Sequence, residues 1–103
     1  MAHPQNIVEA FNNMTMEYRP GNMMQGNAIR NVQICVRDTD DPNYNPSFVD
    51  GVYGPATENA VRIYQMSRGM KPADGIVGRV TRQALWDEYE NILKTEGYMA
   101  TNG

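Results

Sequence analysis

The sequence is poor in the side chains that most often build metal centres and catalytic sites. It has one cysteine, Cys35, and one histidine, His3. A single cysteine excludes an internal disulfide, and this pair argues against a zinc site of the common Cys/His kind. Nucleophilic catalysis needs a base beside the nucleophile, yet the only serines are Ser47 and Ser67 and the lone histidine lies near the N-terminus. No spacing singles out a carboxylate pair for glycoside cleavage. We therefore expect no enzyme activity and no cofactor, with Cys35 as a small core side chain.

An excess of positive charge and long apolar runs are also missing. The 103 residues include nine Lys and Arg against twelve Asp and Glu, a formal net charge of −3, and the basic residues are scattered. Nucleic-acid binders normally present a basic face, so no nucleic-acid partner is expected. No apolar stretch approaches the length that spans a bilayer, so no membrane partner is expected. The first residues, MAHPQNIVEAFNN, lack the basic and apolar segments of a signal peptide.

Alternating strand patterns are absent as well, and the apolar residues recur at helical spacing instead. The sequence predicts an all-α fold with helices at 4–14, 24–36, 55–68 and 79–94, the third of which ends in a left-handed cap at Gly69. The length fits one domain with a modest core, too small for a deep enzyme cleft. We expect an N-terminal helix and turn at 1–20, a domain with an extended last helix at 21–94, and a tail at 95–103.

The segment between the second and third predicted helices, RDTDDPNYNPSFV at 37–49, has the composition of a loop. Its aspartates invite a calcium-loop interpretation. An EF-hand loop that begins at Asp38 would need an oxygen ligand at its fifth position and Glu at its twelfth, and those positions hold Pro42 and Val49. A solvated loop is the better interpretation.

One phrase occurs twice: DGVYGPATENAV at 50–61 returns as DGIVGRVTRQAL at 74–85. Asp-Gly favours a tight turn in which Asp bonds to nearby backbone N–H groups and Gly takes a positive φ. We therefore predict turns at Asp50-Gly51 and Asp74-Gly75. Gly54 and Gly78 are expected where the next helices begin, also with a positive φ. Thr57 and Thr81 then fall in the first helical turn, where a hydroxyl can bond to an orphan backbone group.

A second repeat lies on the helices. NAIRNVQ at 27–33 and NAVRIYQ at 59–65 share Asn, Ala, Arg and Gln at the same positions. The second and third predicted helices therefore look like copies of one unit. Gln33 and Gln65 close the two copies, and a Gln at the end of an apolar stripe is expected to form a buried bridge to loop backbone.

The segments GNAIRNVQICV and DGVYGPATENAVRIYQMSRGMKPADGIVGRVTRQAL together resemble the peptidoglycan-binding domain family over residues 21–85. The resemblance implies a small three-helix bundle that binds bacterial cell-wall peptidoglycan, usually as the targeting module of a wall hydrolase. Three departures stand out. The loop before the first Asp-Gly is about four residues longer than usual, Arg82 replaces a frequent Trp, and Met70 replaces Leu. No catalytic domain is attached in this sequence.

Five side chains are the candidate ligand contacts: Tyr53, Arg62, Arg30, Thr57 and Tyr64. Recognition of glycan and stem peptide needs a shallow groove with an aromatic platform and a few polar groups. Tyr53 lies in a loop and suits the platform, although it can equally pack under the helix start. Arg30 and Arg62 are equivalent in the two helix copies and can meet a stem-peptide carboxylate or lie on a solvated face. Tyr64 fits the core as well as a site.

Two functions follow. The first is non-catalytic binding of peptidoglycan at the cell wall by a stand-alone or detached module, with a wall hydrolase as a candidate partner. A bacteriophage is the source that would need no signal peptide. The alternative is a virion or other assembly protein that uses the fold to bind protein. The packing of two flanking apolar faces distinguishes the two functions. One face consists of Ile7, Val8, Phe11 and Met14, and the other of Trp86, Tyr89, Ile92 and Leu93. Mutual packing favours the monomeric wall binder, and we expect it because the N-terminal helix can fold back through the turn at 19–22.

Overall fold

Three α-helices form the frame of the protein. The computed structural model describes residues 10–99, with helices α1 (Asn27–Val36), α2 (Pro55–Ser67) and α3 (Arg79–Glu96) and a 3₁₀ turn at Pro46–Phe48. Over these residues there is no strand, and extended backbone pairs only at two isolated bridges, Met16 with Val77 and Gln25 with Val52. The predicted all-α fold with a small three-helix bundle is confirmed for these residues.

Helix α1 begins three residues later than the apolar pattern predicts. The backbone before helix α1 instead forms hydrogen bonds with the segment of the first Asp-Gly turn. Tyr53 N–H donates to the Met24 carbonyl at 2.8 Å, and Gly26 N–H donates to the Gly51 carbonyl at 2.9 Å. Because Met24 and Gly26 bond to a segment far along the chain, the helix starts only at Asn27.

Helix α2 begins at the predicted residue and ends at Ser67, one residue before the predicted end. Pro55 is its first residue, where the missing N–H costs nothing. Gly69 follows the helix with φ +68°, which confirms the predicted left-handed cap. Helix α3 is kinked at Tyr89, whose φ and ψ are −116° and 20°, and continues to Glu96, two residues beyond the predicted end. None of the helices in residues 10–99 has the length and apolar character to cross a membrane.

The core lies between the three helices. Ile29 from α1, Val61 from α2 and Leu85 from α3 are fully buried. Cys35 is buried among them, as predicted, and this burial raises the pKa of its thiol well above the usual range. A buried protonated thiol behaves as a small apolar side chain rather than a nucleophile.

The flanking segments pack into this same core. Phe11 and Met16 are fully buried, and they belong to one cluster with Trp86 and Leu93 of α3; Met14 packs partly buried against it. The predicted mutual packing is therefore confirmed for the residues that the structure describes. Ile7 and Val8, like most of the predicted helix at 4–14, lie outside them.

The described end of that N-terminal helix falls earlier than predicted. Ala10 and Phe11 are helical, but Asn12 and Asn13 have φ values of +56° and +46°. Two consecutive residues in the left-handed region end the helix before Met14. The expectation that it reaches residue 14 is wrong.

Arg82 of α3 forms hydrogen bonds with the N-terminal segment. It lies at the position where the resemblance predicts a frequent Trp. It is almost fully buried, and its guanidinium donates to the Met14 carbonyl at 2.7 Å. Burial lowers the pKa of Arg82, and the nearby Arg79 charge lowers it further. Arginine stays charged in proteins despite such shifts, so the contact is a charge-assisted hydrogen bond.

Candidate functional site

The first Asp-Gly turn is organised around one buried amide, the side chain of Gln33 at the end of α1. Gln33 Oε1 accepts the Gly51 N–H at 2.9 Å. Its Nε2 lies 2.9 Å from Asp50 Oδ1, 3.0 Å from Thr57 Oγ1 and 3.2 Å from the Val52 carbonyl. Asp50 Oδ1 also accepts the Val52 N–H at 2.9 Å. One side chain thus joins α1, the turn and the first turn of α2.

The second Asp-Gly turn repeats this arrangement around Gln65 of α2. Gln65 Oε1 accepts the Gly75 N–H at 2.9 Å, and its Nε2 donates to the Ile76 carbonyl at 3.0 Å and to Thr81 Oγ1 at 3.2 Å. Asp74 Oδ1 accepts the Ile76 N–H at 3.0 Å. The predicted buried bridges from Gln33 and Gln65 to loop backbone are confirmed. The repeated sequence motif therefore forms the same local structure twice.

The glycines of the phrase divide into two kinds. Gly51 and Gly75 have φ values of +79° and +76°, in the left-handed region that glycine adopts without strain. Gly54 and Gly78 are the N-cap residues of α2 and α3, with φ values of −104° and −94°. The prediction of a positive φ at Gly54 and Gly78 is wrong, because an N-cap residue has extended rather than left-handed backbone.

Tyr53 does not face solvent, and the interpretation of it as an aromatic platform is wrong. Its side chain is fully buried, and its hydroxyl donates to the Gly75 carbonyl at 2.5 Å. Burial raises the pKa of Tyr53, with smaller contributions from the charges of Glu58 and Asp74. A neutral phenol suits this position, since its hydroxyl joins the two Asp-Gly turns.

Thr57 and Tyr64 are also buried. The Thr57 hydroxyl is held by Gln33, as described above, so this side chain supports the turn. Tyr64 is 6% exposed, its hydroxyl lies 3.2 Å from Glu88 Oε1, and the Arg68 guanidinium covers its ring at 4.6 Å from the centroid. A ligand that approaches Tyr64 would first have to displace Arg68, so Tyr64 is a core residue.

Arg30 and Arg62 occupy equivalent helix positions but make different contacts. Arg30 Nη1 donates to Asn27 Oδ1 at 2.9 Å, and its guanidinium lies 5.5 Å from the centroid of the Tyr98 ring. Arg62 lies 3.6 Å from Glu58, one turn earlier on α2. Each therefore has a partner within the chain, and a role in ligand binding remains a prediction.

An open groove of about 690 Å³ lies beside the first Asp-Gly turn, between α2 and the loop at 37–49. We call it the first groove. Asp50 and Val52 line it from the turn, and Ala56, Thr57 and Ile63 line it from α2. Ile63 is 57% exposed, which gives the groove an apolar rim on the α2 side. A cleft with a few convergent polar groups and an apolar wall is the usual form of a ligand site.

The opposite wall contains two aromatic side chains that the sequence analysis did not single out, Tyr44 and Phe48. Both are half-buried and line the first groove. Local turns shape this wall: Asn45 Oδ1 accepts the Ser47 N–H at 2.9 Å and starts the 3₁₀ turn that carries Phe48. The Asn-Pro-Ser run at 45–47 was the available sequence signal, because Asn before Pro commonly initiates a turn.

The aspartates of the loop build turns in the same way. Asp38 Oδ1 accepts the Asp40 N–H at 3.1 Å, and Asp41 Oδ1 accepts the Asn43 N–H at 2.9 Å. In the described part of the chain, no three His, Cys, Asp or Glu side chains gather closely enough to hold a metal ion. The aspartates of the first groove, Asp38, Asp41 and Asp50, each accept a hydrogen bond from a nearby backbone N–H.

Comparison with known proteins shows which protein family this part of the chain resembles. Residues 43–85 match the sequence model of the family described as "Putative peptidoglycan binding domain". The match covers the first groove's aromatic wall, both Asp-Gly turns, α2 and the start of α3. The family resemblance predicted from the sequence is confirmed for residues 43–85, which are similar to this peptidoglycan-binding family.

A curated relative is the N-acetylmuramoyl-L-alanine amidase CwlL of Bacillus licheniformis, which is 35% identical over 66 residues. The alignment covers 61% of this chain but 18% of the amidase, so the chain spans less than a fifth of that relative's length. No solved structure gives a significant match.

Proposed function

We propose that this chain binds bacterial cell-wall peptidoglycan without cleaving it, and that the first groove is the binding site. The observation that carries the proposal is that most residues lining this groove, including both aromatic side chains, belong to the segment 43–85 that matches the peptidoglycan-binding family. The groove is lined by two aromatic side chains, by the apolar Ala56 and Ile63 of α2, and by the carboxylates of Asp38, Asp41 and Asp50. Aromatic rings beside hydrogen-bond acceptors suit a glycan, whose sugars present C–H faces and hydroxyl donors.

A non-catalytic role agrees with the chemistry of the described residues. The thiol of Cys35 is buried and protonated, and the carboxylates of the first groove serve in turns. The amidase relative aligns with this chain over 18% of its length, which is compatible with a shared targeting module rather than a shared catalytic centre. We propose that the chain acts at the cell wall as such a module, on its own or with a wall hydrolase.

The alternative, a virion or other assembly protein, requires an apolar surface for a protein partner. Exposed apolar side chains that could serve this purpose include Ile63 and Met66 on α2, which are 57% and 64% exposed, and Val80 on α3, which is 73% exposed. However, the described residues of the flanking faces that are in the core cluster, Phe11, Trp86 and Leu93, are buried within the chain's own core, with Met14 and Tyr89 packed against it. This packing supports the wall-binding proposal over the assembly protein.

Cosedimentation with purified, insoluble peptidoglycan sacculi tests the proposal. We expect weak binding, with a Kd on the order of micromolar, because a shallow groove on a small domain buries little surface. Tyr44→Ala should weaken binding about tenfold, since it removes one of two aromatic side chains from the groove. Tyr98→Ala is the matched control, because Tyr98 is an exposed aromatic that does not line the groove.

Helical circular dichroism must be the same in both variants. Wild-type cosedimentation no greater than that of an unrelated acidic protein of similar size would refute the proposed function. Equal losses in Tyr44→Ala and Tyr98→Ala would remove the first groove as the site.

A further inference from the structure

A second, smaller groove lies beside the second Asp-Gly turn and corresponds to the first one position by position. Its volume is about 390 Å³. Asp74, Ile76, Gly78 and Thr81 line it, as Asp50, Val52, Gly54 and Thr57 line the first groove. The two grooves are therefore copies produced by the internal repeat.

The loops make the two grooves different in size. The bridge from Gln33 to Gly51 spans 18 residues, whereas the bridge from Gln65 to Gly75 spans 10. The first groove has the longer loop and with it the aromatic wall. The second groove is bounded by the short segment Met70, Lys71 and Pro72.

The two grooves also differ in charge. Pro55 and Ala56 of the first groove are replaced by Arg79 and Val80 in the second, and Lys71 faces them from the loop. Val80 is 73% exposed. The second groove is lined by two cationic side chains and one carboxylate, that of Asp74, whereas the first is lined by three aspartates, Arg37 and two aromatic side chains.

Lys71 and Arg79 differ from the other basic residues because they form no hydrogen bond or ion pair among the described residues. Of the nine Lys and Arg residues, all within residues 10–99, seven are bonded inside the chain. Five pair with carboxylates: Arg19, Arg37, Arg62, Arg68 and Lys94. Arg30 bonds to Asn27, and Arg82 bonds to Met14.

Lys71 and Arg79 have no such partner among the described residues, and both are exposed and line the same groove. In a chain of net charge −3, unpaired cations that meet at one small groove indicate an anionic ligand.

We propose that the second groove binds a carboxylate of a peptidoglycan stem peptide through Lys71 and Arg79, while Val80 contacts an aliphatic side chain of the same peptide. This inference rests on the proposed function. A carboxylate fits because guanidinium and ammonium groups form charge-assisted hydrogen bonds with it, and free carboxylates are frequent on stem peptides. Simultaneous use of both grooves would raise the avidity of the domain for a repeating polymer.

The test compares the double variant Lys71→Gln/Arg79→Gln with the control Arg19→Gln/Lys94→Gln, which removes the same charge at paired positions away from the second groove. The ligand is sacculi freed of phosphate-containing wall polymers. We expect the second-groove variant to lose about tenfold in affinity and most of its salt dependence, and the control to lose neither. Lys71→Arg/Arg79→Lys should retain binding.

A second measurement locates the contact. Titration with a soluble stem peptide should shift the NMR amide signals of residues 75–80, and inorganic phosphate at the same concentration should not. Sacculi stripped of stem peptides should bind wild type and the second-groove variant equally, through the first groove alone.

The outcomes are distinguishable from failure of the proposed function. If wild type binds sacculi but Lys71→Gln/Arg79→Gln binds as tightly, or the control variant loses as much, the second groove is not a site and the first groove stands. Binding that requires the phosphate polymers would assign the anion to them and overturn the stem-peptide proposal. No binding of wild type to sacculi and no amide shifts would overturn both proposals.

Discussion

At the scale of single residues, the two kinds of glycine in the repeated phrase have different physical roles. Gly75 has φ +76°, and a Cβ there would lie 2.6 Å from Glu58 Cγ and 3.0 Å from the Glu58 carbonyl oxygen. Gly78 has a negative φ, and a Cβ there would meet no atom within 4 Å. Both are glycines of one short motif, yet only Gly75 needs to be glycine.

We therefore expect Gly75→Ala to lower the free energy of unfolding by roughly 1–3 kcal/mol or more, because the left-handed backbone and the contact with Glu58 both oppose a side chain. Gly78→Ala should change it by no more than about 0.5 kcal/mol. Urea denaturation of the two variants measures the difference. Equal effects at the two positions would contradict this account of the turn.

At the scale of elements, α2 and α3 are joined at one end by a polar cluster. Arg68, which follows α2, donates through Nε to Glu88 Oε1 at 2.9 Å and covers the Tyr64 ring. Glu88 precedes the kink at Tyr89, and Arg68 Nη2 also lies 3.3 Å from the Tyr89 hydroxyl. The hydrogen bond from Arg68 is the main reason that the pKa of Glu88 lies below its usual value.

This shift predicts how stability depends on pH. The folded-state pKa of Glu88 is depressed, so its contribution is present above the unfolded pKa of about 4.3 and is lost as the pH falls through the folded value. Glu88→Gln should therefore reduce stability at pH 7 by at most about 1 kcal/mol, since both side chains are more than a third exposed. Below the folded pKa the variant and wild type should converge.

Thermal unfolding from pH 7 to pH 2 measures this difference, with Asp40→Asn as a control for the loss of one exposed loop charge. Added salt should shrink the Glu88 effect at pH 7. A difference that persists unchanged at pH 2 would assign the loss to packing rather than to the ion pair.

The elements also differ in how well the sequence predicts their turns, bridges and groove residues. The Asp-Gly turns and the glutamine bridges were predictable, because each lies within a short repeated segment with its own hydrogen-bonding logic. Tyr53 was interpreted wrongly because its burial depends on a bond to Gly75, 22 residues away in the other copy. Tyr44 and Phe48 were missed because a loop has no periodicity that reveals which side chains face a groove.

At the scale of the whole molecule, contacts join the flanking segments to the central bundle. Asn31 of α1 is fully buried and donates to the Ala10 carbonyl; it also accepts the Tyr98 N–H at 2.7 Å. The boundaries at residues 20 and 94 remain predictions. These contacts cross both of them and support one folding unit over residues 10–99.

Deletion of residues 1–16 should therefore destabilise the protein strongly or cause it to dimerise. The deletion removes Phe11 and Met16 from the core and leaves Arg82 without its backbone acceptor. Loss of one buried Phe side chain alone typically costs about 3–5 kcal/mol. Differential scanning calorimetry and sedimentation equilibrium of the shortened chain measure the effect, and a monomer with an unchanged Tm would contradict it.

The glutamine bridges also have a consequence for how the chain folds in time. The Gln65 bridge closes a loop of 10 residues, whereas the bond between Asn31 and Tyr98 closes one of 67. Closing the longer loop costs about 1.7 kcal/mol more in chain entropy, at roughly 0.6 kcal/mol per doubling of loop length. The second Asp-Gly turn can therefore form earlier in folding than the contact between Asn31 and Tyr98.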